Sequence, residues 1–318
     1  MKAIVINQYG DKDELKEDEL TKPEPKADEV LIEIHAAAVN PIDWKLRYGY
    51  LEDKFAFDFP IVLGWDASGI VTKLGKDVET LQKGDRVFVR PELTNRGTYA
   101  EYTTAKEDLV AKIPENISFE EAAAVPLAGL TAYQCLVDVG KLGSGNKVLI
   151  HAGAGGVGSF AIQIAKNMGA YVATTGSTKN VEFLKSLGAD EVIDYTKDDF
   201  SQILKDYDLV VDTLGGEIQD KSLNILKSGG RLVSIVGEPD QEKADKLEVV
   251  AKSHWLIPDG EELADLAKMM KNKTLKPIVG TVFPFSEQGL KDAHELSETH
   301  HARGKIVIKI RPFIAGGN

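Results

Sequence analysis

The chain has 318 residues, 43% apolar and 28% charged, a formal net charge of −12 and a single cysteine. That length exceeds what one ordinary core supports, so two lobes are expected, and the composition excludes a disordered or fibrous chain. The negative charge argues against a nucleic-acid or anionic-membrane surface, though a local pocket for one phosphate stays open; one cysteine excludes an intrachain disulfide and a cysteine-rich zinc cluster.

Met1-Lys2 runs directly into an apolar strand pattern with no signal-peptide core. No apolar run reaches the ~18–20 residues that span a bilayer, so a cytoplasmic protein off the membrane is expected. The acidic stretch 11–29, interleaved with lysines, Pro23 and Pro25, reads as a solvated loop. Strand-like runs follow at 1–7, 30–39, 67–74, 86–89 and 97–104, broken by Pro41, Pro60, Gly64, Gly75 and the Lys83-Gly84-Asp85 turn. They predict an antiparallel β-lobe.

Ser118, with Glu121 three residues on, forms a capping box before an Ala/Leu-rich helix. Cys135 lies in an amphipathic stretch and reads as a buried structural thiol rather than a nucleophile. After Lys147, strands at 148–151, 171–175, 191–195, 209–213 and 231–236 alternate with helices opening at Val157 and covering 180–187, 199–205 and 218–226. Repeated βα units with β-branched strands predict an α/β, doubly wound parallel sheet, a Rossmann arrangement. A strand at 249–256, a helix at 261–271, an extended run at 278–285, a Ser286-capped helix and a last strand at 305–310 complete the chain. The expected division is 1–120, 121–258 and 259–318.

The glycine turn Gly153-Ala154-Gly155-Gly156-Val157-Gly158 follows a buried strand and opens a helix, the context that a dinucleotide-binding turn requires. Gly153 suits a tight turn, Gly155 a close approach of backbone to pyrophosphate, and Gly158 close helix–strand packing. The helix N-terminus then offers unpaired N–H groups and a positive dipole end. An NAD site usually carries a carboxylate at the end of the next strand to hold the ribose 2′-OH. This chain instead reads Thr174-Thr175-Gly176-Ser177-Thr178-Lys179, of which the hydroxyls of Ser177 and Thr178 and the lysine suit the 2′-phosphate of NADPH. Ser177 and Thr178 also suit capping of the following helix, and both roles can hold together.

In order and spacing, segments 39–45, 84–87, 97–102, 130–133, 153–158, 187–190, 194–195 and 304–307 resemble the medium-chain dehydrogenase/reductase superfamily over nearly the whole chain. Within it the resemblance is to zinc-free NADPH quinone oxidoreductases and enone (alkenal double-bond) reductases. It implies a Rossmann domain inserted into a split GroES-like catalytic domain, with the active site in the cleft, and pairing of the 249–256 strand across a homodimer. It further implies that Lys45 reaches the cofactor, Gly156 and Val157 touch the pyrophosphate, and Ser177 and Lys179 hold the 2′-phosphate. Tyr195 would lie near the adenine, and Thr131 and Leu214 beside the nicotinamide; Gly237 and Lys305 are further cofactor candidates.

Zinc members of the superfamily place a Cys, a His-Glu pair and a second Cys around the metal; here the matching positions read Asn40 and Trp65-Asp66, and no second cysteine exists. No metal site is expected. Without a Lewis acid, reduction of an electron-poor quinone or enone is the expected chemistry, because hydride addition places charge on an oxygen that already delocalises it. Donors to that oxygen would come from Lys45, Tyr48, Tyr50 or Asn40, although the tyrosines equally suit packing at the lobe edge. Phe55, Phe57, Phe59 and Trp65 read either as an apolar wall for a flat substrate or as core. Two alternatives stand beside this: a reductase of another carbonyl or acyl-thioester, and an NADPH-binding sensor, structural or RNA-interacting protein with little turnover.

Overall fold

A computed structural model describes residues 1–311. They form two compact units: Met1–Leu127 with Pro258–Lys273 and the described residues from Pro277 on, and Ala128–Ile257 with Thr274–Lys276. The first division falls after Leu127 rather than at residue 120. The short helix Phe119–Ala123, opened by the Ser118/Glu121 capping box, packs on strands Glu29–Val39 and Ala67–Leu74. Ser68 Oγ fixes it by donating to the Phe119 carbonyl at 2.6 Å.

The first unit is β-rich, as expected of a GroES-like domain. Its seven-stranded sheet runs Val279–Pro284, Lys305–Lys309, Glu29–Val39, Ala67–Leu74, Arg86–Val89, Val110–Lys112, with Tyr102–Lys106 also paired to Glu29–Val39. The 11-residue strand Glu29–Val39 is the spine: it is apolar nearly throughout and buried, as a strand covered on both faces must be. Lys305–Lys309 pairs antiparallel to it, with Ile306 opposite Val39. One pair departs from the expected antiparallel lobe, because Val279–Pro284 runs parallel to Lys305–Lys309, the Glu287–Glu298 helix crossing between them.

Three local readings are corrected. Part of the acidic stretch is an exposed edge strand, Lys16–Glu19, paired to Lys2–Ile6, which its apolar partner anchors. Residues 97–101 lie outside the regular strand, because the N–H groups of Thr98 and Tyr99 turn to the Leu63 carbonyl. Asn40-Pro41 opens a helix, Pro41–Arg47, that the strand-dominated reading of this region omits: Pro sits in its first turn and Asn40 and Asp43 close a capping box.

The second unit carries a six-stranded, wholly parallel sheet, ordered Glu191–Asp194, Tyr171–Gly176, Lys147–Ile150, Tyr207–Asp212, Leu226–Ser234, Val250–Ser253. In chain order that is 3-2-1-4-5-6, the doubly wound Rossmann order, and it reverses between Lys147–Ile150 and Tyr207–Asp212. Ligands of such sheets bind outside the carboxyl ends of the strands at that reversal, which here is where His151 and Thr213 begin their loops. The helix Gly156–Asn167 holds this end down by burying Phe160, Ile162 and Ile164, each worth about 1.5–3 kcal/mol on burial. Among the described residues no helix is long and apolar enough to cross a membrane.

Candidate dinucleotide and active sites

In the second unit the chain leaves strand Lys147–Ile150 through His151 and Ala152, and Ala152 holds φ at +50°, a left-handed conformation rare for a residue with a Cβ. Side chains hold it there. The Ala152 N–H donates to Thr175 Oγ1 at 3.1 Å, which lies 3.2 Å from His151 Nδ1. His151 Nε2 lies 2.8 Å from Ser222 Oγ, whose own proton goes to the Ile218 carbonyl, so the imidazole donates through Nε2. His151 is therefore structural, and burial pushes its pKa down to about 4.

The glycines divide by what a side chain would meet. A Cβ on Gly153 would lie 2.1 Å from Thr174 Oγ1, and one on Gly158 would lie 2.5 Å from the Ala152 carbonyl and 2.7 Å from Gly153 Cα. Both are glycine because the protein packs there. A Cβ on Gly155 would meet only the Ala152 carbonyl, at 3.4 Å, ordinary contact. Its bareness has no internal reason and fits approach of a ligand. Gly155 is also the N-cap of the Gly156–Asn167 helix, in extended conformation and without a side-chain cap, so the first-turn N–H groups of Gly156, Val157 and Gly158 meet no capping group. These residues fit a pyrophosphate.

At the next strand end Ser177 and Lys179 lie at the surface of a short 3-10 turn, and Asn180 Nδ2 donates to Ser177 Oγ at 3.2 Å. Thr178 is differently placed from the expected phosphate donor. Its hydroxyl donates to Asp194 Oδ2 at 2.6 Å, leaving it no proton for a ligand. The hydroxyls of Thr178 and Thr196, with Lys197 at 3.2 Å, hold the Asp194 carboxyl far below its usual range. Tyr195 (57% exposed) and Leu214 (52% exposed) stand free of the core, and a Cβ on Gly237 would meet open space; Thr131 is buried on the helix Pro126–Gln134. Cys135 is buried and its thiol is pushed up to about 12, as a structural thiol should be.

The sequence reading missed Asp212. Fully buried at the end of its strand, it accepts from the N–H groups of Leu214 and Gly215 (both 3.0 Å), from Gln219 Nε2 (2.9 Å) and from Ser234 Oγ (2.8 Å). It shapes the loop that carries Leu214. The signal was legible: a lone carboxylate ending the apolar run Leu209-Val210-Val211 has to be paid in hydrogen bonds.

In the first unit Asn40, expected to donate to substrate, is fully engaged. Its Nδ2 donates to Asp66 Oδ2 at 2.9 Å, its N–H to Asp43 Oδ2 at 2.8 Å, and its Oδ1 accepts from the Lys305 ammonium. Lys305, 4% exposed, also donates to the Val39 carbonyl at 3.1 Å and to Asp66 Oδ2 at 3.4 Å. An ammonium has three protons, so this arrangement leaves none for a cofactor. Asp66 Oδ1 takes the Leu127 N–H at 2.8 Å. Zinc does not fit this donor set: the ligand positions hold a neutral amide and one carboxylate, and a covalently tethered cation stands between them. Among the described residues no three His, Cys, Asp or Glu side chains gather as a metal would require.

Asp43 anchors a second string. Arg47 Nη1 lies 2.9 Å from His294 Nδ1; because a guanidinium only donates, His294 carries its proton on Nε2, 3.2 Å from Tyr99 Oη. Tyr99 donates to Asp43 Oδ2 at 2.7 Å. Burial and Arg47 drive His294 down to about 3, and burial raises Asp43 to about 7 against the pull of its Asn40 and Tyr99 donors.

Opposite signs follow for stability. His151 and His294 have depressed folded values, so the stability they contribute above about pH 6.5 is lost on acidification, about 2–3 kcal/mol each by pH 4.5. Asp43 has a raised value, so its contribution is present below about pH 4 and lost as pH rises through 7, offsetting one histidine. Asp43→Asn removes the offset, and its stability in urea should fall more steeply from pH 7 to 4.5 than that of the unaltered chain. Equal slopes would contradict the raised carboxyl.

Tyr48 is also occupied: its hydroxyl donates to Glu298 Oε2 at 3.2 Å, and its ring stacks on Tyr50 at 5.3 Å. Of the four residues of the expected apolar wall only Trp65 is interior; Phe55 and Phe57 are half-buried against the same core, and Phe59, exposed, stands edge-on to Tyr9 at 5.0 Å. Lys45, one turn beyond Asn40, makes no hydrogen bond or ion pair among the described residues, and its Nζ lies 5.6 Å from the centre of the Trp44 ring.

Family models match in three stretches: the alcohol dehydrogenase GroES-like domain at residues 26–115, the alanine dehydrogenase/PNT C-terminal domain at 136–219, and the zinc-binding dehydrogenase at 187–308. The chain is 41% identical to the 2-methylene-furan-3-one reductase of Solanum lycopersicum, over 97% of its own length and 79% of that protein. It is 38% identical to the chloroplastic NADPH-dependent alkenal/one oxidoreductase of Arabidopsis thaliana, with the same coverage. The solved quinone oxidoreductase of Coxiella burnetii superposes with a TM-score of 0.89 at 39% identity, over 98% of this chain and 99% of that one.

Proposed function

The chain belongs to the medium-chain dehydrogenase/reductase superfamily, and from that premise we propose that it reduces a quinone or an α,β-unsaturated carbonyl with NADPH and without a metal. The observation that carries the reading is the Lys305 ammonium standing between Asn40 and Asp66, where zinc members hold their metal. Without zinc, alcohol oxidation on this scaffold loses the Lewis acid that would lower the alcohol pKa; addition of hydride to an electron-poor double bond or quinone demands less.

NADPH, when bound, supplies the hydride. Gly155 and the first-turn N–H groups of Gly156, Val157 and Gly158 would hold its pyrophosphate, Ser177 and Lys179 its 2′-phosphate, and Tyr195 its adenine, while Gly153 keeps the turn closed. Thr131, Leu214 and Gly237 would border the nicotinamide. Lys45 is assigned to the acceptor oxygen: its ammonium, unpaired within the described chain, meets the charge that develops there. Tyr48, tied to Glu298, sets the flank of the same helix rather than giving up a proton, and solvent supplies the proton that completes an enone reduction. The reading includes a cytoplasmic homodimer paired through Val250–Ser253, the outer strand of its sheet, which leaves Val250 and Trp255 exposed.

Oxidation of NADPH and of NADH against ortho- and para-quinones, 2-alkenals and cyclic enones, with and without chelator, tests this reading. Turnover with NADPH that chelator leaves untouched is expected; tight NADPH binding with no turnover on any acceptor would favour a sensor. Lys179→Ala should weaken NADPH about tenfold or more and leave NADH unchanged, the loss of one charge-assisted contact. An unaltered preference would remove Lys179 from the 2′-phosphate site.

A further inference from the structure

We propose that Lys305 is a built-in cation that takes the place of the metal: a positioning residue that locks Asn40 and Asp66 and, through the Asn40 N-cap, sets the helix that presents Lys45. This deepens the function proposed above and rests on it.

The placement is dictated by strand register. Ile306 sits opposite Val39, so the next position along brings Lys305 beside Asn40, the first residue after the spine strand. Gly304, at φ +65°, turns the chain into that strand where a Cβ would lie 2.3 Å from the Ile278 carbonyl. The ammonium then meets three oxygens from two segments, Val39, Asn40 and Asp66. Asp66 extends the knot to the Leu127 N–H, and Asn40 extends it to Asp43, the third residue of the Pro41–Arg47 helix. The cation thus ties the last strand directly to two distant stretches and, through Asp66, to a third at Leu127.

Charge supports the same conclusion. Asp66 and Asp43 are opposed by two buried cations, Lys305 and Arg90, and each cation interacts with both carboxylates. The two cations already meet or exceed the negative charge of Asp66 and of Asp43, whose carboxyl burial holds partly protonated near neutral pH. A divalent ion added among them would leave a buried excess of positive charge and would contest the space that the lysine fills. The resemblance offered Lys305 as a further cofactor candidate, but every proton of its ammonium is committed to protein oxygens.

Lys305→Ala tests the proposal by chemical rescue. NADPH binding, followed by fluorescence, should stay within about threefold of the unaltered protein, because Lys305 does not touch the cofactor. The kcat on a quinone or enone should fall about ten- to a hundredfold, as expected when a reacting group is misplaced by about an ångström. The melting temperature should drop by roughly 6–10 °C, since Asp66 is left buried without its partner. Propylammonium chloride should restore part of both kcat and melting temperature, where potassium chloride at equal ionic strength does not, and should leave the unaltered protein unchanged.

An unchanged kcat, a tenfold weaker NADPH affinity, or no response to the amine would each overturn the proposal. So would stimulation of the unaltered protein by zinc. Should Lys305→Ala not fold, Lys305→Met combined with Asp66→Asn removes both charges together. It should bind NADPH normally with kcat still low, and normal kcat in that double variant would also overturn the role. If the unaltered protein reduces no acceptor at all, the proposed function fails, and the amine-dependent melting temperature still decides whether Lys305 is the internal cation.

Discussion

Gly155→Ala is expected to raise the Kd for NADPH about ten- to a hundredfold with the melting temperature unchanged, whereas Gly158→Ala is expected to lower the melting temperature itself. The two glycines lie three residues apart in one motif, yet their surroundings differ. At Gly155 an added Cβ meets one carbonyl oxygen at 3.4 Å, and the backbone is extended, so the fold accepts alanine. What it displaces is a phosphate drawn to the helix N-terminus, and losing charge-assisted contacts of that kind costs about 1.5–3 kcal/mol each. At Gly158 the Cβ would lie 2.5 Å from a backbone carbonyl, which cannot swing aside as a side chain can. Overpacking of that sort costs about 1–3 kcal/mol or more. Fluorescence titration and thermal melting on both variants check the contrast. Equal destabilisation, with NADPH affinity unchanged in Gly155→Ala, would remove the ligand from the explanation.

Arg47→Met should destabilise the first unit by about 3–5 kcal/mol, the cost of breaking a buried charged network from one side. Arg47 is fully buried and spends each of its nitrogens: Nε on the Gly10 carbonyl at 3.2 Å, Nη1 on His294 and Nη2 on Glu298 Oε1 at 2.8 Å. Removing it takes one partner from the Glu298 carboxylate, which keeps Tyr48, and leaves the buried His294 Nδ1 without the donor it accepts from. Methionine keeps most of the volume, so the loss reports the hydrogen bonds rather than a cavity. Urea unfolding at pH 7 measures it, and a loss below about 1 kcal/mol would show that the string contributes little. Arg47→Lys should recover only part, because an ammonium cannot span the three partners of a planar fork.

Much of this architecture was legible in the residues. The alternation of β-branched strands with amphipathic helices after Lys147 specified the parallel sheet, because a strand buried on both faces has to be apolar throughout. The turn Gly153 to Gly158 was readable because backbone constraints, unlike side-chain contacts, are local. What escaped was polar and long-range. Asn40, Asp66 and Lys305 stand 26 residues or more apart, and only the antiparallel register of the last strand brings the lysine to the amide. Thr178 looked like a phosphate donor until Asp194, one strand over, took its proton. The helix Pro41–Arg47 was hidden by its neighbours: seven residues between strands are too few to show a helical period, although Pro at its start and the Asn40/Asp43 cap carried the signal.

Hydride transfer from NADPH to an acceptor carbon with no metal beside it is tested by reaction of a 2-alkenone with NADPH deuterated at C4, the product being examined by NMR in the presence and absence of chelator. The expected product is the saturated ketone with deuterium on the β-carbon, formed at the same rate in both samples. An allylic alcohol with deuterium on the former carbonyl carbon, or a rate that chelator abolishes, would contradict it.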